Sequence, residues 1–101
     1  MARYRVVHWK DIPSVVEAFD GDRTVRVSLS QRFQDLIDAV AMRVGASDSE
    51  AYLEGWSQGA EAERPGSPEE VAPQVAAELE AGFQDLVVRR LLDGSGGAGA
   101  G

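Results

Sequence analysis

The spacing of apolar residues over the first thirty positions predicts three short β-strands. Residues 3–9 alternate between two faces with the period of two that is typical of a strand. The apolar run 14–19 meets the dipeptide Asp-Gly at 20–21, which favours a tight hairpin turn, and residues 24–29 form the return strand. Pro13 has no amide hydrogen to donate, so we expect it to separate the first two strands. The pattern therefore predicts a small antiparallel sheet of three strands.

The next segment has the spacing of an amphipathic helix over residues 31–44. Its apolar residues recur at steps of three and four, Ser30 is a favourable N-cap, and Gly45 suits the position just past the helix end. The face opposite the apolar stripe carries Ala39 and Met42, and it is less polar than a solvent-exposed face. We expect this second face to be covered, either by another helix of the chain or by a partner.

Two further helices are predicted. The sequence Ser-Asp-Ser-Glu at 47–50 is a capping box that would begin the second helix, which extends towards residue 60. A turn or linker at 64–68 leads into the third helix, in which Pro73 either separates the first turn or bends the helix. The residues expected to be buried are Phe33, Leu36, Ile37, Val40, Val44, Trp56, Leu79, Phe83 and Leu86.

Together these elements predict an α+β fold, in which a small antiparallel three-stranded sheet is followed by three helices packed on it. The chain has 101 residues, a length that suits one hydrophobic core. We therefore expect a single α+β domain over residues 1–93, with the turn near 64–68 inside it. Residues 94–101 contain only glycine, alanine and serine, and we expect this tail to be disordered.

The composition and charge of the chain argue against several kinds of site and partner. The chain has no cysteine, so it can form neither a disulfide nor a thiolate nucleophile or metal ligand. The net charge of −7 is uneven: residues 1–46 carry seven basic and six acidic residues, whereas residues 47–101 carry three basic and eleven acidic ones. An acidic second half repels phosphate groups, which argues against nucleic acid as a partner. No apolar stretch is long enough to span a bilayer or to form a signal peptide, so we expect a cytoplasmic protein without membrane association.

Candidate catalytic residues are few. His8 is the only histidine, and no nucleophile-elbow motif accompanies it elsewhere in the chain. The acidic residues fall on predicted solvent faces and have neither a paired-carboxylate nor a calcium-loop arrangement. We therefore expect no catalytic residue, no metal site and no cofactor, which favours a non-enzymatic protein.

Two alternatives remain open. A pocket near His8, Trp9 and Arg26 would make the chain a ligand-binding or catalytic accessory subunit. In the other alternative, Arg3, Arg5 and Arg26 would form a basic patch beside Trp9 on the open face of the sheet. Several folds use such an arrangement to bind single-stranded RNA.

Several short motifs of this sequence are similar, as a set, to one known family. They are Trp-Lys-Asp-Ile-Pro at 9–13, Leu-Ser-Gln-Arg-Phe-Gln at 29–34, Ile-Asp at 37–38, Ala-Met-Arg at 41–43, and Tyr-Leu-Glu at 52–54 with Trp56. This set resembles the small bacterial virulence factor domain, which also occurs in the conserved virulence factor C proteins. The resemblance extends over residues 4–90.

The resemblance implies an accessory module and, for the ligand-binding alternative, a link to folate or corrinoid one-carbon transfer. It marks Asp38, Met42, Arg43 and Trp56 as candidate partner-binding residues. The apolar residues that the predicted fold leaves without cover are Ala39, Met42, Val88, Leu91 and Leu92. We therefore expect a non-enzymatic protein-interaction or accessory module of a bacterial cytoplasmic system. Its partner would be another protein or a second copy of the chain.

Overall fold

The computed structural model describes residues 1–45 and 48–93. Within these residues the fold is α+β, as predicted, but it has a five-stranded antiparallel sheet and four α-helices rather than three of each. The strands are β1 (Ala2–Trp9), β2 (Ile12–Asp20), β3 (Arg23–Ser28), β4 (Trp56–Gln58) and β5 (Ala62–Arg64). The helices are α1 (Gln31–Arg43), α2 (Ser49–Glu54), α3 (Pro68–Ala81) and α4 (Phe83–Val87), and a π-helical segment, Val88–Asp93, follows. The predicted tail at 94–101 lies outside the described residues.

The sheet has the strand order β3-β2-β1-β4, and β5 also pairs with β1. Both β4 and β5 are antiparallel to β1 and together form one interrupted edge strand, with β4 against residues 7–9 and β5 against residues 2–4. Between them the register moves by one residue, and the Gly59 amide donates to the Val6 carbonyl at 2.8 Å. This edge of the sheet is therefore bulged rather than continuous.

Two tight turns join the first three strands. Gly21 has the left-handed backbone (φ 62°) that the predicted Asp-Gly turn requires. The β1–β2 turn instead uses Lys10, a non-glycine residue with φ 53°, whose amide donates to the Gly55 carbonyl at 2.7 Å. The expectation that Pro13 separates the strands is wrong. Pro13 lies inside β2, opposite His8, at a bulge where a missing amide is tolerated.

One face of the sheet packs against the helices. Val16 and Ala18 of β2 are fully buried on this face, together with Val71 of α3 and with Phe33 and Ile37 of α1. In the described chain the buried apolar residues form a single cluster. The sheet and both longer helices therefore share one core.

The predicted core is confirmed in part. The predicted residues that are buried are Phe33, Leu36, Ile37, Val40 and Leu86. Trp56, Leu79 and Phe83 are half-buried and pack against the core. The prediction is wrong for Val44, which is 57% exposed. This residue is the C-cap of α1, where the backbone has already left the helical path.

The second helix is shorter than predicted. Its N-cap is Asp48, whose carboxylate accepts a hydrogen bond from the Ala51 amide at 2.9 Å. Ser47, the first residue of the predicted capping box, lies outside the described residues. The helix ends at Glu54, and the chain then forms β4 and β5 instead of continuing as a helix to residue 60.

The side chain of Trp9 explains where α2 ends. Its indole is fully buried, stacks on the ring of Tyr52 with the centroids 5.8 Å apart, and donates from Nε1 to the Tyr52 carbonyl at 2.7 Å. Gly55 follows the helix, and a Cβ at that position would lie only 2.4 Å from the indole Nε1. The end of α2 is thereby fixed against β1, and Trp56 begins β4 directly opposite Trp9.

The third predicted helix is confirmed at its start. Ser67 and Glu70 form a capping box at the beginning of α3, and Pro68 occupies its first position. The helix runs through Pro73 without interruption and ends at Ala81, and Gly82 separates it from α4, which begins at Phe83. The predicted turn at 64–68 is therefore shorter, because its ends belong to β5 and α3.

The N-terminus of α1 is capped by a side chain of α3. Ser30 occupies the N-cap position, as predicted, but its side chain accepts no helix amide. Instead, Glu80 accepts hydrogen bonds from the Ser30 amide at 2.7 Å and the Ser30 hydroxyl at 2.9 Å, and it forms an ion pair with Arg32. The Ser30 amide, with support from the hydroxyl and Arg32, holds the pKa of Glu80 below its ordinary value. Glu80 therefore joins the start of α1 to the end of α3.

Gly55→Ala is expected to destabilise the domain, because the new methyl group would displace the buried indole of Trp9. Forcing extra atoms into a packed site costs about 1–3 kcal/mol. Gly82→Ala is the matched control, since its Cβ would meet no atom closer than 3.7 Å. We expect the control to be neutral or to stabilise by up to about 1 kcal/mol. Denaturant unfolding measures both variants, and equal midpoints would contradict the packing of Trp9 described above.

Candidate functional site

The candidate partner-binding residues are Asp38, Met42 and Arg43 of α1 and Trp56 of β4. A chain of side-chain contacts connects the first of them to the last. Gln34 Nε2 donates to the carboxylate of Asp38 and to the hydroxyl of Tyr52, both at 3.0 Å. The Tyr52 ring then contacts the Trp56 ring edge to face, with the centroids 6.0 Å apart. Asp38 and Trp56 therefore belong to the same corner of the domain, formed by α1 and α2.

Met42 is 73% exposed, so no described part of the chain covers it. Two further large apolar side chains of this part of the chain are exposed: Val44, directly after α1, at 57%, and Leu53, near the end of α2, at 66%. We call Met42, Val44 and Leu53 the α1–α2 apolar surface. Arg43 is also exposed and lies beside Met42 in the last turn of α1.

Sequence analysis did not identify Val44 and Leu53 as surface residues. Gly45 contained the relevant signal for Val44, because a helix-ending glycine places the preceding residue beyond the last packed turn. No comparable local signal marked Leu53, which lies within α2. Of the other apolar residues expected to lack cover, Ala39 is half-buried and Val88 is 43% exposed. The side chains of Leu91 and Leu92 lie outside the described part of the structure.

The corner formed by α1 and α2 is acidic. Its exposed carboxylates are those of Asp35, Asp38, Asp48, Glu50 and Glu54. Within residues 1–45 and 48–93, none of the five forms an ion pair. Asp35 and Asp38 accept hydrogen bonds from neutral glutamine amides, and Asp48 caps α2. Between residues 33 and 58, Arg43 is the single basic residue.

The structure does not bring together the three residues of the alternative pocket. Trp9 is fully buried, and His8 and Arg26 lie on β1 and β3, which β2 separates. His8 Nδ1 lies 3.2 Å from the hydroxyl of Ser57, and Arg26 forms an ion pair with Glu17 at 2.6 Å. Each of the three residues therefore contacts a different part of the fold.

The sheet face opposite the helices carries an ion-pair cluster centred on Glu17. This residue is only 5% exposed, and Arg5 of β1 and Arg26 of β3 approach its carboxylate to 2.8 Å and 2.6 Å. The hydrogen bond from Arg5 holds the pKa of Glu17 below its ordinary value, against the opposing effect of burial, and Arg26 adds to the lowering. Two arginines of the predicted basic patch are thus partners of one buried carboxylate.

Arg3, the third arginine of the predicted patch, also lies near carboxylates. Its guanidinium is 3.6 Å from both Glu61 and Glu63. Trp9, which the RNA-binding alternative needs beside the patch, is buried in the core. The positive charge of this face is therefore balanced locally, which weakens the argument for RNA binding.

Over residues 1–45 and 48–93, no three histidine, aspartate or glutamate side chains are grouped in a way that could hold a metal ion. In the same part of the chain, no helix combines the length and the apolar character needed to cross a bilayer.

Glu17→Gln is expected to lower the free energy of unfolding near neutral pH, because it removes the charge between Arg5 and Arg26. A hydrogen bond to a charged group contributes about 1.5–3 kcal/mol. The folded state lowers the pKa of Glu17 from 4.5, so its contribution is present above about pH 4.5 and is lost as the pH falls below that value. The stability difference between the two proteins should therefore shrink in acid.

Thermal unfolding of both proteins between about pH 7 and about pH 3 measures this difference. Glu61→Gln is the matched control, because its carboxylate also faces Arg5 but is 44% exposed. Exposed ion pairs contribute at most about 1 kcal/mol. A difference for Glu17→Gln that stays constant over the whole pH range would contradict the assigned pairing.

Comparison with known proteins identifies a family. A family model described as "Virulence factor" matches residues 7–92, a segment that runs from β1 into the π-helical segment and includes all four candidate residues. No curated protein and no solved structure matches the chain. The match covers most of the 101 residues and agrees with the resemblance carried by the sequence motifs. The chain therefore belongs to the virulence factor family.

Proposed function

We propose that this domain is a protein-interaction module and that its partner docks on the α1–α2 apolar surface. The observation that carries the proposal is the exposure of Met42, Val44 and Leu53 on either side of one short connection. An accessory role in a bacterial cytoplasmic protein system is part of the same proposal.

The energetics of apolar burial support docking at this surface. Burying a side chain of this size contributes about 1.5–3 kcal/mol. A single exposed apolar residue is common in soluble proteins and carries no argument, but several at one corner indicate an interaction surface. Methionine adapts well to a partner, because its unbranched side chain has three rotatable bonds.

Hydrogen bonds to the rest of the fold hold α2, which carries Leu53, in place. Tyr52 precedes Leu53 in α2, and its carbonyl accepts the hydrogen bond from the buried indole of Trp9. The Tyr52 hydroxyl accepts a second hydrogen bond, from Gln34 of α1. α2 is thus tied to both the sheet and α1, which keeps the docking residues in a defined position. Such preorganisation reduces the entropic cost of binding.

Met42→Glu tests the proposal. The substitution is expected to change the free energy of unfolding by less than about 0.5 kcal/mol, because the side chain lies on the surface. It should abolish partner capture, since a carboxylate would be buried at the interface. The measurements are thermal unfolding and affinity capture from the native cell followed by mass spectrometry.

Val88→Glu is the matched control, because Val88 is another exposed apolar residue, at 43%, and lies in the π-helical segment. It should retain every partner of the parent chain. If Met42→Glu captures the same partners as the parent, the proposed docking surface is wrong. A large loss of stability would instead identify Met42 as a core residue and would also contradict the proposal.

A further inference from the structure

We propose that the partner of the α1–α2 apolar surface is a basic protein segment, in which apolar residues are flanked by lysine or arginine. This inference rests on the proposed function and adds the chemistry of the partner to it. Its basis is the composition of this corner, where exposed apolar side chains accompany five exposed carboxylates and, between residues 33 and 58, a single basic residue.

Most arginines of the described chain are paired within the fold. Those in ion pairs are Arg3, Arg5, Arg23, Arg26, Arg32, Arg64 and Arg90. Their carboxylate partners lie in β2, in the β4–β5 segment, in α3 and in the β1–β2 turn, and none of them lies in α1 or α2. Over residues 1–45 and 48–93, the five carboxylates of the α1–α2 corner take no part in these ion pairs, and the same is true of Asp20, Asp22, Glu70 and Asp85 elsewhere in the fold.

In the sequence, these carboxylates lie close to the exposed apolar residues. Asp38 precedes Met42 by one helical turn, and Glu50 and Glu54 lie on either side of Leu53 in α2. Apolar contacts would supply affinity, whereas the carboxylates would attract and orient the cationic side chains of the partner. An apolar centre with a charged rim is the usual anatomy of a protein interface.

Charge also argues against the other occupants. In a two-fold dimer through this surface, the five carboxylates of one copy would face the same five of the other, and like charges at an interface oppose association. Nucleic acids and anionic membranes carry negative charge and would be repelled as well. A basic protein segment meets both the apolar and the electrostatic character of the corner.

The inference can be tested by selecting, from a displayed library of random peptides, those that bind the whole native chain. Peptides selected against the native chain are measured again on Met42→Ser/Leu53→Ser, which removes apolar surface without changing charge. They are also measured on Glu50→Gln/Glu54→Gln, which removes two charges. The control is Asp22→Asn/Asp85→Asn, which changes the net charge equally at exposed positions outside the corner. All variants must unfold at the temperature of the parent chain.

We expect that the peptides that lose affinity for Met42→Ser/Leu53→Ser are enriched in lysine and arginine. Their affinity should fall by about three- to tenfold in Glu50→Gln/Glu54→Gln, as rim charges typically contribute, and should be unchanged in the control. Apolar-dependent peptides that are neutral or acidic would overturn the basic partner but leave the proposed function intact. An equal loss in both charge variants would overturn the specific role of this corner. If no peptide depends on Met42 and Leu53, the docking surface itself is wrong.

Discussion

The buried indole of Trp9 is the contact on which the arrangement of the second half of the domain depends. The indole lies at the end of β1 and donates a hydrogen bond to the Tyr52 carbonyl. It packs so closely on Gly55 that any side chain at that position would clash with it. These contacts stop α2, turn the chain into β4, and place Tyr52 where Gln34 of α1 can reach its hydroxyl. The candidate docking surface therefore depends in part on one core residue, since these contacts hold α2, which carries Leu53, against β1.

Elements with local signals could be predicted from the sequence. The Asp-Gly turn, the glycine after α1 and the capping box before α3 each depend on residues within four positions of one another, and all three are present in the structure. The buried stripe of α1 from Phe33 to Val40 was also predictable, because apolar residues recur at steps of three and four along a helix face that is buried. The prediction of burial along this stripe is wrong only at Val44, where the helix has ended.

The elements that could not be predicted depend on distant residues. The segment from Trp56 to Arg64 is short and polar, with two glycines nearby, and it becomes a strand only because β1 offers a free edge. The spacing of Tyr52 and Trp56 also suits a helix, so the expected second helix continued into this segment. For the candidate site, the two-sided character of α1 was visible at Met42, but the exposure of Leu53 was not. Leu53 lies in α2, and α2 is held in place by the contact between Tyr52 and Trp9, which are more than forty residues apart.

The cap that Glu80 provides to α1 has a consequence for the order of folding. Ser30 and Glu80 are fifty residues apart, so this contact at the start of α1 cannot form while the chain is still short. Closing so long a loop is slow, because its entropic cost precedes any reward from the contact. During synthesis, Ser30 therefore lacks these hydrogen bonds until α3 has emerged.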